Sequence, residues 1–218
     1  MPKTIEVKQS VFADNNALAE KNRSLLDQHG IVALNVMASP GAGKTTLILA
    51  TAEALAPRLH CGVIEGDVAG DLDARRVEAA GFSAVQINTG GSCHLRAGMV
   101  ERALSELPLP ELDLLFIENV GNLVCPAGVR LGEHLCVVIS STPEGDDKPT
   151  KYPAAFRGAD AVIVSKWDVA QYVGFDMGRY ESALRRISSA VPLFRLSAKT
   201  GEGMQEWLDW LVARVQEL

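Results

Sequence analysis

A glycine-rich turn carries the residues whose types and spacing point most directly to chemistry. Residues 38–46 read ASPGAGKTT and lie between the apolar run 30–37 and a helical pattern that begins at residue 47. The glycines let backbone N–H groups curl around phosphate oxygens, the lysine can neutralise the β- and γ-phosphates, and the following threonine can ligate Mg²⁺. This is a P-loop pattern in which Ala38 replaces the usual first glycine. The predicted phosphate-binding residues are Gly41, Ala42, Gly43, Lys44, Thr45 and Thr46.

Two short motifs further along the chain indicate that the base is guanine. Residues 165–168 read SKWD, residues 197–199 read SAK, and each motif follows an apolar run. They resemble the Asn-Lys-x-Asp and Ser-Ala-Lys elements of GTPases, in which a carboxylate accepts hydrogen bonds from guanine N1–H and N2–H₂. The expected guanine-binding residues are Lys166, Asp168, Ser197, Ala198 and Lys199. Because Ser165 replaces the asparagine that braces this loop, we expect weaker guanine affinity with the specificity retained.

Acidic residues after two further apolar runs are candidates to hold magnesium and to assist hydrolysis. Mg²⁺ prefers oxygen ligands in octahedral geometry, so the expected Mg²⁺ ligands are Thr45, Asp67 and Glu118. Asp71 is expected to orient the attacking water, although a loop-capping role suits it equally well. Gly121 could donate its N–H to the γ-phosphate and sense its loss. The expected catalytic residues are therefore Lys44, Thr45, Asp67, Asp71 and Glu118.

Cysteine and histidine residues form a third constellation with a different chemistry. Cys93 and His94 follow one apolar run and Cys125 follows the next one along the chain, so the three can converge at one edge of a sheet. Thiolate and imidazole ligands suit Ni²⁺ and Zn²⁺. The spacing by itself, however, favours two half-buried cysteines over a metal site. The remaining residues of these types are assigned to the core, Cys61 and Cys136, or to surface and capping positions, His29, His60 and His134.

Alternating apolar and helical patterns supply the elements that would position these residues. Seven apolar runs are predicted to be buried strands: residues 31–37, 61–65, 84–87, 112–117, 135–139, 161–164 and 193–196. Helical patterns cover residues 47–55, 72–80, 95–107, 176–190 and 204–215. This alternation indicates an α/β fold, a P-loop NTPase with a mostly parallel sheet covered by helices on both faces. Ligands of such sheets bind beyond the carboxyl ends of the strands, where each motif above falls.

The first part of the chain carries a helical pattern of its own. Residues 14–28 are predicted to form an amphipathic helix with Asp14 as its N-cap and Gly30 after its end. Its apolar stripe is expected to comprise Ala17, Leu18, Leu25 and Leu26. We therefore divide the chain into an N-terminal helical extension, residues 1–29, and a P-loop GTPase domain, residues 30–218.

The composition is that of an ordinary globular protein and argues against several classes of function. The chain has 218 residues, of which 47% are hydrophobic, and a net charge of −6. An acidic balance argues against nucleic acid as a partner, since that requires a basic face. No apolar run reaches the roughly 18–20 residues that a membrane span needs. The first residues lack the apolar core of a secretory signal, so we expect a cytoplasmic location with reduced cysteines and no membrane partner.

Longer sequence blocks give these motifs a family resemblance. Residues 90–95 read GGSCHL, residues 118–126 read ENVGNLVCP, and residues 144–149 read EGDDKP. Together with the P-loop and the sequence EGD at 65–67, they resemble the HypB family of GTPases, which assist nickel insertion into NiFe hydrogenase. The similarity extends over nearly the whole chain from about residue 17. Some members carry an N-terminal Cys-x-x-Cys-Gly-Cys site or a His-rich tract, and neither occurs in this sequence.

The resemblance implies a function and partners that the residues alone leave open. It implies a GTP-hydrolysing metallochaperone that binds GTP or GDP, Mg²⁺, and Ni²⁺ or Zn²⁺. In that family the trio that matches Cys93, His94 and Cys125 binds metal at a dimer interface, so a homodimer promoted by GTP and metal is implied. Other hydrogenase-maturation proteins, including a HypA-type nickel chaperone, are the implied partners. We expect low intrinsic turnover, because the sequence offers no obvious arginine finger.

Four other functions fit parts of the sequence. UreG, the urease-type nickel GTPase, is related but lacks the block GGSCHL. A passive Ni/Zn-binding module would use the nucleotide only as a structural group. A P-loop kinase would need arginines that clamp a second phosphate, for which Arg75, Arg76 and Arg96 are few and scattered. A ParA-like ATPase would carry a lysine near the start of the P-loop, where this chain has Ala38 and Ser39.

Overall fold

A computed structural model describes the backbone of residues 7–218 and the side chains from residue 13 onward. Over this range the strands are β1 (Val32–Ala38), β2 (Cys61–Asp67), β3 (Ser83–Asn88), β4 (Leu114–Glu118), β5 (Leu135–Ser141), β6 (Ala161–Ser165) and β7 (Leu193–Arg195). All are parallel, in the order β3-β2-β4-β1-β5-β6-β7. The predicted strands are confirmed, with ends that move by one or two residues. The P-loop strand β1 thus lies at the centre of the sheet.

Helices follow most of these strands in the described part of the chain. They are α1 (Val7–His29), α2 (Lys44–Leu55), α3 (Leu72–Ala79), α4 (Ala97–Leu104), α5 (Lys148–Lys151), α6 (Pro153–Arg157), α7 (Met177–Ile187) and α8 (Met204–Glu217). The helix predicted over residues 95–107 is shorter than expected. Helices α5 and α6 were not predicted, because each spans too few residues to show a helical period.

The sheet separates two layers of apolar side chains. One layer packs beneath α2 and α8 and includes Val36, Leu47 and Trp207. The opposite layer packs beneath α1, α4 and α7 and includes Leu26 and Tyr180. Helices therefore cover both faces of a parallel sheet, and the predicted α/β class is confirmed. In the part of the chain that the structure describes, no helix combines the length and apolar character needed to cross a membrane.

Helix α1 differs from its prediction in its start and in its buried face. It begins at Val7, so Asp14 lies inside the helix and is not its N-cap. Ala17, which was expected in the apolar stripe, is exposed, whereas Ala19 and Asn22 are buried. Residues 1–6 of the predicted extension lie outside the described residues. The division of the chain at residue 30 stays a prediction.

A buried asparagine adds a polar position to the buried face of α1, whose predicted members Leu18, Leu25 and Leu26 are half-buried or buried. The amide of Asn22 donates to the carbonyl of Ala97 at 2.9 Å and to the carbonyl of Leu131 at 2.8 Å. These bonds attach α1 to the start of α4 and to the loop before β5. A buried amide is stable here because both of its N–H donors are paired. A hydrophobic pattern cannot reveal such a position, since its burial depends on distant carbonyls.

His134 makes a second link between α1 and the sheet, so of the surface and capping roles predicted for it the capping role is the one it has. Its side chain is only 5% exposed. Its Nδ1 accepts the N–H of Ala33 at 3.0 Å, and its Nε2 donates to Asp27 Oδ1 at 2.9 Å. Burial lowers the pKa of His134, and the bond to Asp27 opposes this effect without reversing it. The ring is therefore held in the neutral form with its proton on Nε2.

Acidification is expected to destabilise the protein through His134. Its pKa in the folded chain lies below the ordinary value of 6.5, so the unfolded chain binds the proton first as the pH falls. The stability that neutral His134 contributes is complete above about pH 7 and declines as the pH falls below about 6.5. Urea unfolding at about pH 7.5 and about pH 5.5 should therefore show a smaller pH effect for His134→Gln than for the wild type.

The exposed His29 offers a matched control for this comparison. His29→Gln removes a histidine from the same helix–sheet region without removing a buried hydrogen bond, and should keep the wild-type pH effect. The role of His134 would be contradicted by a His134→Gln variant whose stability falls as steeply as that of the wild type.

Candidate nucleotide and metal site

The P-loop joins β1 to α2 with a backbone that its glycines permit. Gly41 and Gly43 have φ angles of 75° and 93°, in the left-handed region where a side chain would be strained. Helix α2 begins at Lys44, so its unpaired N–H groups lie at the end of the loop. Lys44 and Thr45 are buried, while Thr46 is exposed. The strand–turn–helix context that a phosphate site requires is present.

Glu118, the last residue of β4, meets both P-loop side chains. Its Oε1 accepts a hydrogen bond from Thr45 Oγ1 at 3.1 Å and lies 3.6 Å from Lys44 Nζ. Its Oε2 is buried and has no hydrogen-bond partner among the described residues. A buried unpaired carboxylate oxygen close to a threonine hydroxyl fits the hard oxygen ligation that Mg²⁺ prefers. The residues at the predicted Mg²⁺ position thus suit that ion.

Glu65 is a buried carboxyl beside Glu118 that the motifs do not reveal as a site residue. The two are register partners on the neighbouring strands β2 and β4, so their side chains leave the sheet on the same face. Burial and the adjacent Glu118 carboxylate raise the pKa of Glu65 to about 9. Glu65 therefore keeps its proton at neutral pH, which avoids repulsion between two adjacent buried carboxylates. The signal in the sequence is a lone carboxyl within an apolar strand.

A cavity of about 300 Å³ lies between the P-loop, the end of β2 and the loop after β4. The charged and glycine residues that line it include Lys44, Glu65, Asp67, Asp73, Glu118 and Gly121. Gly121 approaches the P-loop closely, since a Cβ added there would lie 2.9 Å from Pro40 Cγ. The loop after β4 therefore packs directly on the turn that would hold the phosphates.

The aspartates near this cavity are not equivalent. Asp67 lines the cavity, and its Oδ1 accepts the N–H of Val68 at 2.6 Å. The carboxylate of Asp71 instead pairs with Arg75, at 2.7 Å from Nη2, and is not among the described residues that line the cavity. Asp73 does line it, so it is a site residue that the sequence analysis did not select. The roles predicted for Asp67 and Asp71 stay predictions.

A second cavity, of about 330 Å³, forms where the two guanine motifs meet the P-loop. The predicted base-binding residues Lys166, Asp168, Ser197, Ala198 and Lys199 line it together with Ala42, Gly43 and Thr46. Lys166 adopts a left-handed backbone with φ of 56°, and its Nζ donates to the carbonyl of Gly41 at 2.7 Å. The structure thus brings two motifs that are remote in sequence to the same side of the P-loop.

Ser165 braces the P-loop itself. Its buried Oγ donates to the carbonyl of Ala42 at 2.7 Å. The serine hydroxyl thus holds the P-loop from the position where GTPases carry the asparagine. The expected loss of guanine affinity stays a prediction, and this hydrogen bond argues against a large loss.

Lys148 reaches the P-loop from outside it. Its Nζ lies 3.0 Å from Ser39 Oγ and 2.8 Å from Glu144 Oε1, and its side chain is 12% exposed. The backbone N–H and the hydroxyl of Ser141 both donate to Glu144 Oε2, so the carboxylate that holds the lysine is itself fixed. A lysine remote in sequence thus supplies positive charge at the start of the P-loop.

Cys93 and Cys125 meet where the loops after β3 and β4 come together. The neighbouring Cys125 thiol raises the pKa of Cys93. Asn122 adds a second link between the loops, because its Nδ2 donates to the carbonyl of Cys93 at 3.3 Å. Cys93 is exposed and Cys125 is half-buried. The expected convergence of the two loops is therefore seen for the two thiols.

His94 adds an imidazole beside this thiol pair. Its Nδ1 lies 3.6 Å from Cys93 Sγ. Burial and the neighbouring Arg96 lower the pKa of His94, which favours the neutral ring that binds metals. Two thiols and a neutral imidazole suit Ni²⁺ or Zn²⁺. Among the described residues, however, no three His, Cys, Asp or Glu side chains are arranged to hold a metal ion, so the metal role of this trio stays a prediction.

The remaining cysteines lie away from this cluster. Cys61 is buried, and its burial raises the pKa of the thiol to about 12. Cys136 packs against the apolar layer beneath α7. Both positions agree with the predicted core assignment, and His29 and His60 are exposed as expected.

Comparison with known proteins defines the class of this fold and site. Residues 32–195 match the family model described as CobW/HypB/UreG, nucleotide-binding domain. Together with the parallel sheet and the P-loop, this match defines a nucleotide-binding protein of the P-loop NTPase class.

Individual relatives identify the family within this class. The chain is 44% identical over 207 residues to "Hydrogenase maturation factor HypB" of Escherichia coli strain K12, which covers 95% of this chain and 71% of the relative. It is 46% identical over 213 residues to "Hydrogenase/urease maturation factor HypB" of Helicobacter hepaticus, with coverage of 96% and 87%. A crystal structure of HypB from Helicobacter pylori in complex with nickel superposes with a TM-score of 0.90 at 38% identity, covering 94% and 96% of the two chains. The chain belongs to the HypB family of hydrogenase maturation factors.

Replacement of Glu65 by glutamine is expected to stabilise the protein when neither nucleotide nor Mg²⁺ is present. The folded carboxyl keeps its proton up to about pH 9, whereas its ordinary pKa is 4.5. The folded state therefore binds more protons between these values, and stability falls as the pH rises through them. Glutamine has the same size and no charge to lose. Thermal unfolding should thus show a larger gain in Tm for Glu65→Gln at about pH 8 than at about pH 5.

Glu144 provides the matched control. Despite its burial, the bonds to Lys148 and Ser141 lower the pKa of this carboxyl, so its ionised form stabilises the fold. Glu144→Gln should therefore lower the Tm at about pH 8. A Tm gain for Glu65→Gln that is equal at both pH values would contradict a protonated Glu65.

Proposed function

We propose that this protein hydrolyses GTP and uses the nucleotide state to control a metal site, as a metallochaperone for nickel insertion into NiFe hydrogenase. The observation that carries the proposal is that one loop, the loop after β4, contacts both the P-loop and the loop that carries Cys93. Gly121 in this loop packs against Pro40 of the P-loop, and four residues later Cys125 meets the thiol of Cys93. A change at the phosphates would thus reach the thiol pair through one short segment. The nickel complex of the Helicobacter pylori relative supports the choice of metal.

The residues around the first cavity suit hydrolysis of a nucleoside triphosphate. Lys44 would neutralise the β- and γ-phosphate oxygens, while Thr45, Glu118 and Asp67 would hold Mg²⁺ directly or through water. Bound Mg²⁺ would neutralise charge that develops on the phosphates. Asp71 remains the proposed residue that orients the attacking water. The described lining of this cavity contains no arginine, which is consistent with low intrinsic turnover.

The second cavity supports guanine as the base. Asp168 would accept hydrogen bonds from guanine N1–H and N2–H₂, a pair of donors that adenine does not offer. The backbone N–H of Ala198 would meet the guanine O6. The stem of Lys166, which already crosses to the carbonyl of Gly41, would pack on the base. Ser165 and Lys166 both bond to the P-loop, so base and phosphate sites would be held in a fixed relation.

Asp168→Asn should change the base preference from guanine to xanthine. The substitution replaces a charged acceptor by an amide, so GTP binding should weaken by about 2–4 kcal/mol, which is about 30-fold or more. Xanthosine triphosphate carries a carbonyl at ring position 2 and should bind the variant better than the wild type. Binding and turnover of GTP, ATP and xanthosine triphosphate with Mg²⁺ measure both effects.

Lys44→Ala is the control for hydrolysis in this assay. It removes the positive charge that would neutralise the phosphates and leaves the base cavity unchanged. It should turn over none of the three nucleotides. Equal affinity of the wild type for ATP and GTP would overturn the guanine assignment. Wild-type turnover by Lys44→Ala would overturn the role of the P-loop.

The proposed cargo site uses Cys93, His94 and Cys125. These supply at most three ligands per chain, whereas Zn²⁺ and many Ni²⁺ sites with sulfur ligands take four. A two-fold axis through the exposed Cys93 would bring a second trio close and would permit one shared ion or two adjacent ions. We therefore propose a homodimer that GTP and metal both strengthen. Its partners would be other hydrogenase-maturation proteins, among them a HypA-type nickel chaperone.

Cys125→Ala is expected to lower both metal stoichiometry and metal-dependent dimerisation. It removes one ligand from each chain and leaves Cys93 without its thiol partner. Sedimentation with GDP or a non-hydrolysable GTP analogue, with and without Ni²⁺ or Zn²⁺, measures the association state. Cys61→Ala is the matched control, because that buried thiol lies at the start of β2, at the opposite end of the strands. Full metal stoichiometry in Cys125→Ala, or a wild type that is monomeric under every condition, would refute the shared site.

Urease is a second candidate target of the same activity. The Helicobacter hepaticus relative is named for both hydrogenase and urease maturation, and it is as similar to this chain as the other relatives are. Expression of the chain in bacteria that lack their own HypB distinguishes the targets. Restored hydrogenase activity supports the main proposal, and restored urease activity alone supports the alternative. A passive metal-binding module would restore function equally well with Lys44→Ala.

A further inference from the structure

We infer that Asn119 is the positioning residue that connects the nucleotide cavity to the Cys–His pair. This inference rests on the proposed function, because it explains how the nucleotide state would reach the metal site. Asn119 follows Glu118 directly and is 1% exposed. Its side chain does not line the nucleotide cavity in the described residues, so it would act through its neighbours and not on the substrate.

The side-chain oxygen of Asn119 joins the two loops that carry the cysteines. Its Oδ1 accepts the N–H of Leu95 at 3.1 Å and the N–H of Val120 at 3.0 Å. Leu95 is the residue directly after His94, while Val120 directly precedes Gly121, which packs on the P-loop. One oxygen atom is thus shared by a peptide of the Cys–His loop and a peptide of the loop that packs on the P-loop.

The other end of the amide is anchored in the core. Asn119 Nδ2 donates to Asn35 Oδ1 at 3.2 Å, and Asn35 Nδ2 donates to Glu133 Oε1 at 3.1 Å. Glu133 Oε2 in turn accepts the N–H groups of Leu131 and Gly132. The side chain therefore cannot rotate without leaving buried donors unpaired. A change in its position would thus be a switch between two discrete sets of hydrogen bonds.

The backbone of Asn119 completes the connection. Its N–H donates to the carbonyl of Val36 at 3.0 Å, which continues the pairing of β4 with the P-loop strand. A shift of Glu118 on binding of Mg²⁺ and γ-phosphate would move this peptide, and the Asn119 oxygen would then move Leu95 or lose its bond. Asn122, which donates to the carbonyl of Cys93, would follow the same displacement. The link needs no conformational change outside these two loops.

The test compares the wild type with Asn119→Ala in two measurements. The first is the ratio of Ni²⁺ affinities in a non-hydrolysable GTP analogue and in GDP. The second is hydrogen exchange of the backbone of residues 90–97 in the same two nucleotides, without metal. In the wild type we expect both to depend on nucleotide, with an affinity ratio of about fivefold or more. In Asn119→Ala we expect the ratio to fall to within about twofold of one, and the exchange of Leu95 to become faster and independent of nucleotide.

Two further variants keep the comparison informative. If Asn119→Ala does not yield folded protein, Asn35→Ala removes the acceptor that orients the Asn119 amide and should also lower the affinity ratio. Tyr180→Phe is the control for loss of a buried hydrogen bond, since it deletes the bond to Ser140 Oγ on another part of the sheet. It should leave both measurements at their wild-type values.

The outcomes separate this inference from the proposed function. If both variants keep the wild-type ratio and the wild-type exchange pattern, the role of Asn119 is overturned. If exchange of residues 90–97 in the wild type ignores the nucleotide while Ni²⁺ affinity still responds to it, the proposed function survives and the inference fails. If exchange responds to nucleotide through Asn119 but Ni²⁺ affinity does not, the inference holds and the metal-switch function fails.

Discussion

Glu118 lies at the end of the strand between the P-loop strand and the strand that carries Glu65, and the site is organised around this position. Because β4 pairs in parallel with both neighbours, Glu118 is the register partner of Val36 on one side and of Glu65 on the other. Its carboxylate contacts Lys44 and Thr45 while a protonated Glu65 lies beside it. Burial raises the pKa of Glu118 as well, and the neighbouring Lys44 and Thr45 oppose that rise. Because two adjacent buried carboxyls cannot both be ionised cheaply, a proton on Glu65 favours the charged form of Glu118. The unpaired Oε2 of Glu118 is then available for a hard cation.

The order of the strands also decides which loops become neighbours. With β2 between β3 and β4, the loops that follow β3 and β4 meet over the end of β2. These loops carry Cys93 and Cys125, while the loop after β4 also packs on the P-loop through Gly121. The loop that packs on the P-loop therefore also carries one of the two thiols. This loop is the structural element through which the proposed coupling would act, because a ligand at either site could displace it.

Local patterns were enough to predict the sheet and the motifs. The P-loop and the strands depend on short sequence segments, and the structure confirms the strands. Lys166, Asp168 and Ala198 also belong to short motifs, and they line one cavity beside the P-loop. Contacts that depend on register or on distant elements could not be predicted. Glu65 lies in the site because Glu118 is its register partner on the neighbouring strand. Lys148 lies there because a short helix brings it to Ser39, and Ser165 because its hydroxyl bonds to Ala42. For the same reason the buried positions of Asn22 and His134 escaped an apolar pattern, since their burial depends on paired donors and acceptors.

The most direct test of the link between nucleotide and metal is reciprocal titration of the wild-type protein. Affinity for a non-hydrolysable GTP analogue is measured with and without Ni²⁺, and affinity for Ni²⁺ is measured with that analogue and with no nucleotide. If the two sites are linked through the loop after β4, both affinities should change by the same factor, of about fivefold or more, because linkage is reciprocal. Affinities for GTP analogue and for Ni²⁺ that are each unchanged by the other ligand would contradict a nucleotide-controlled metal site.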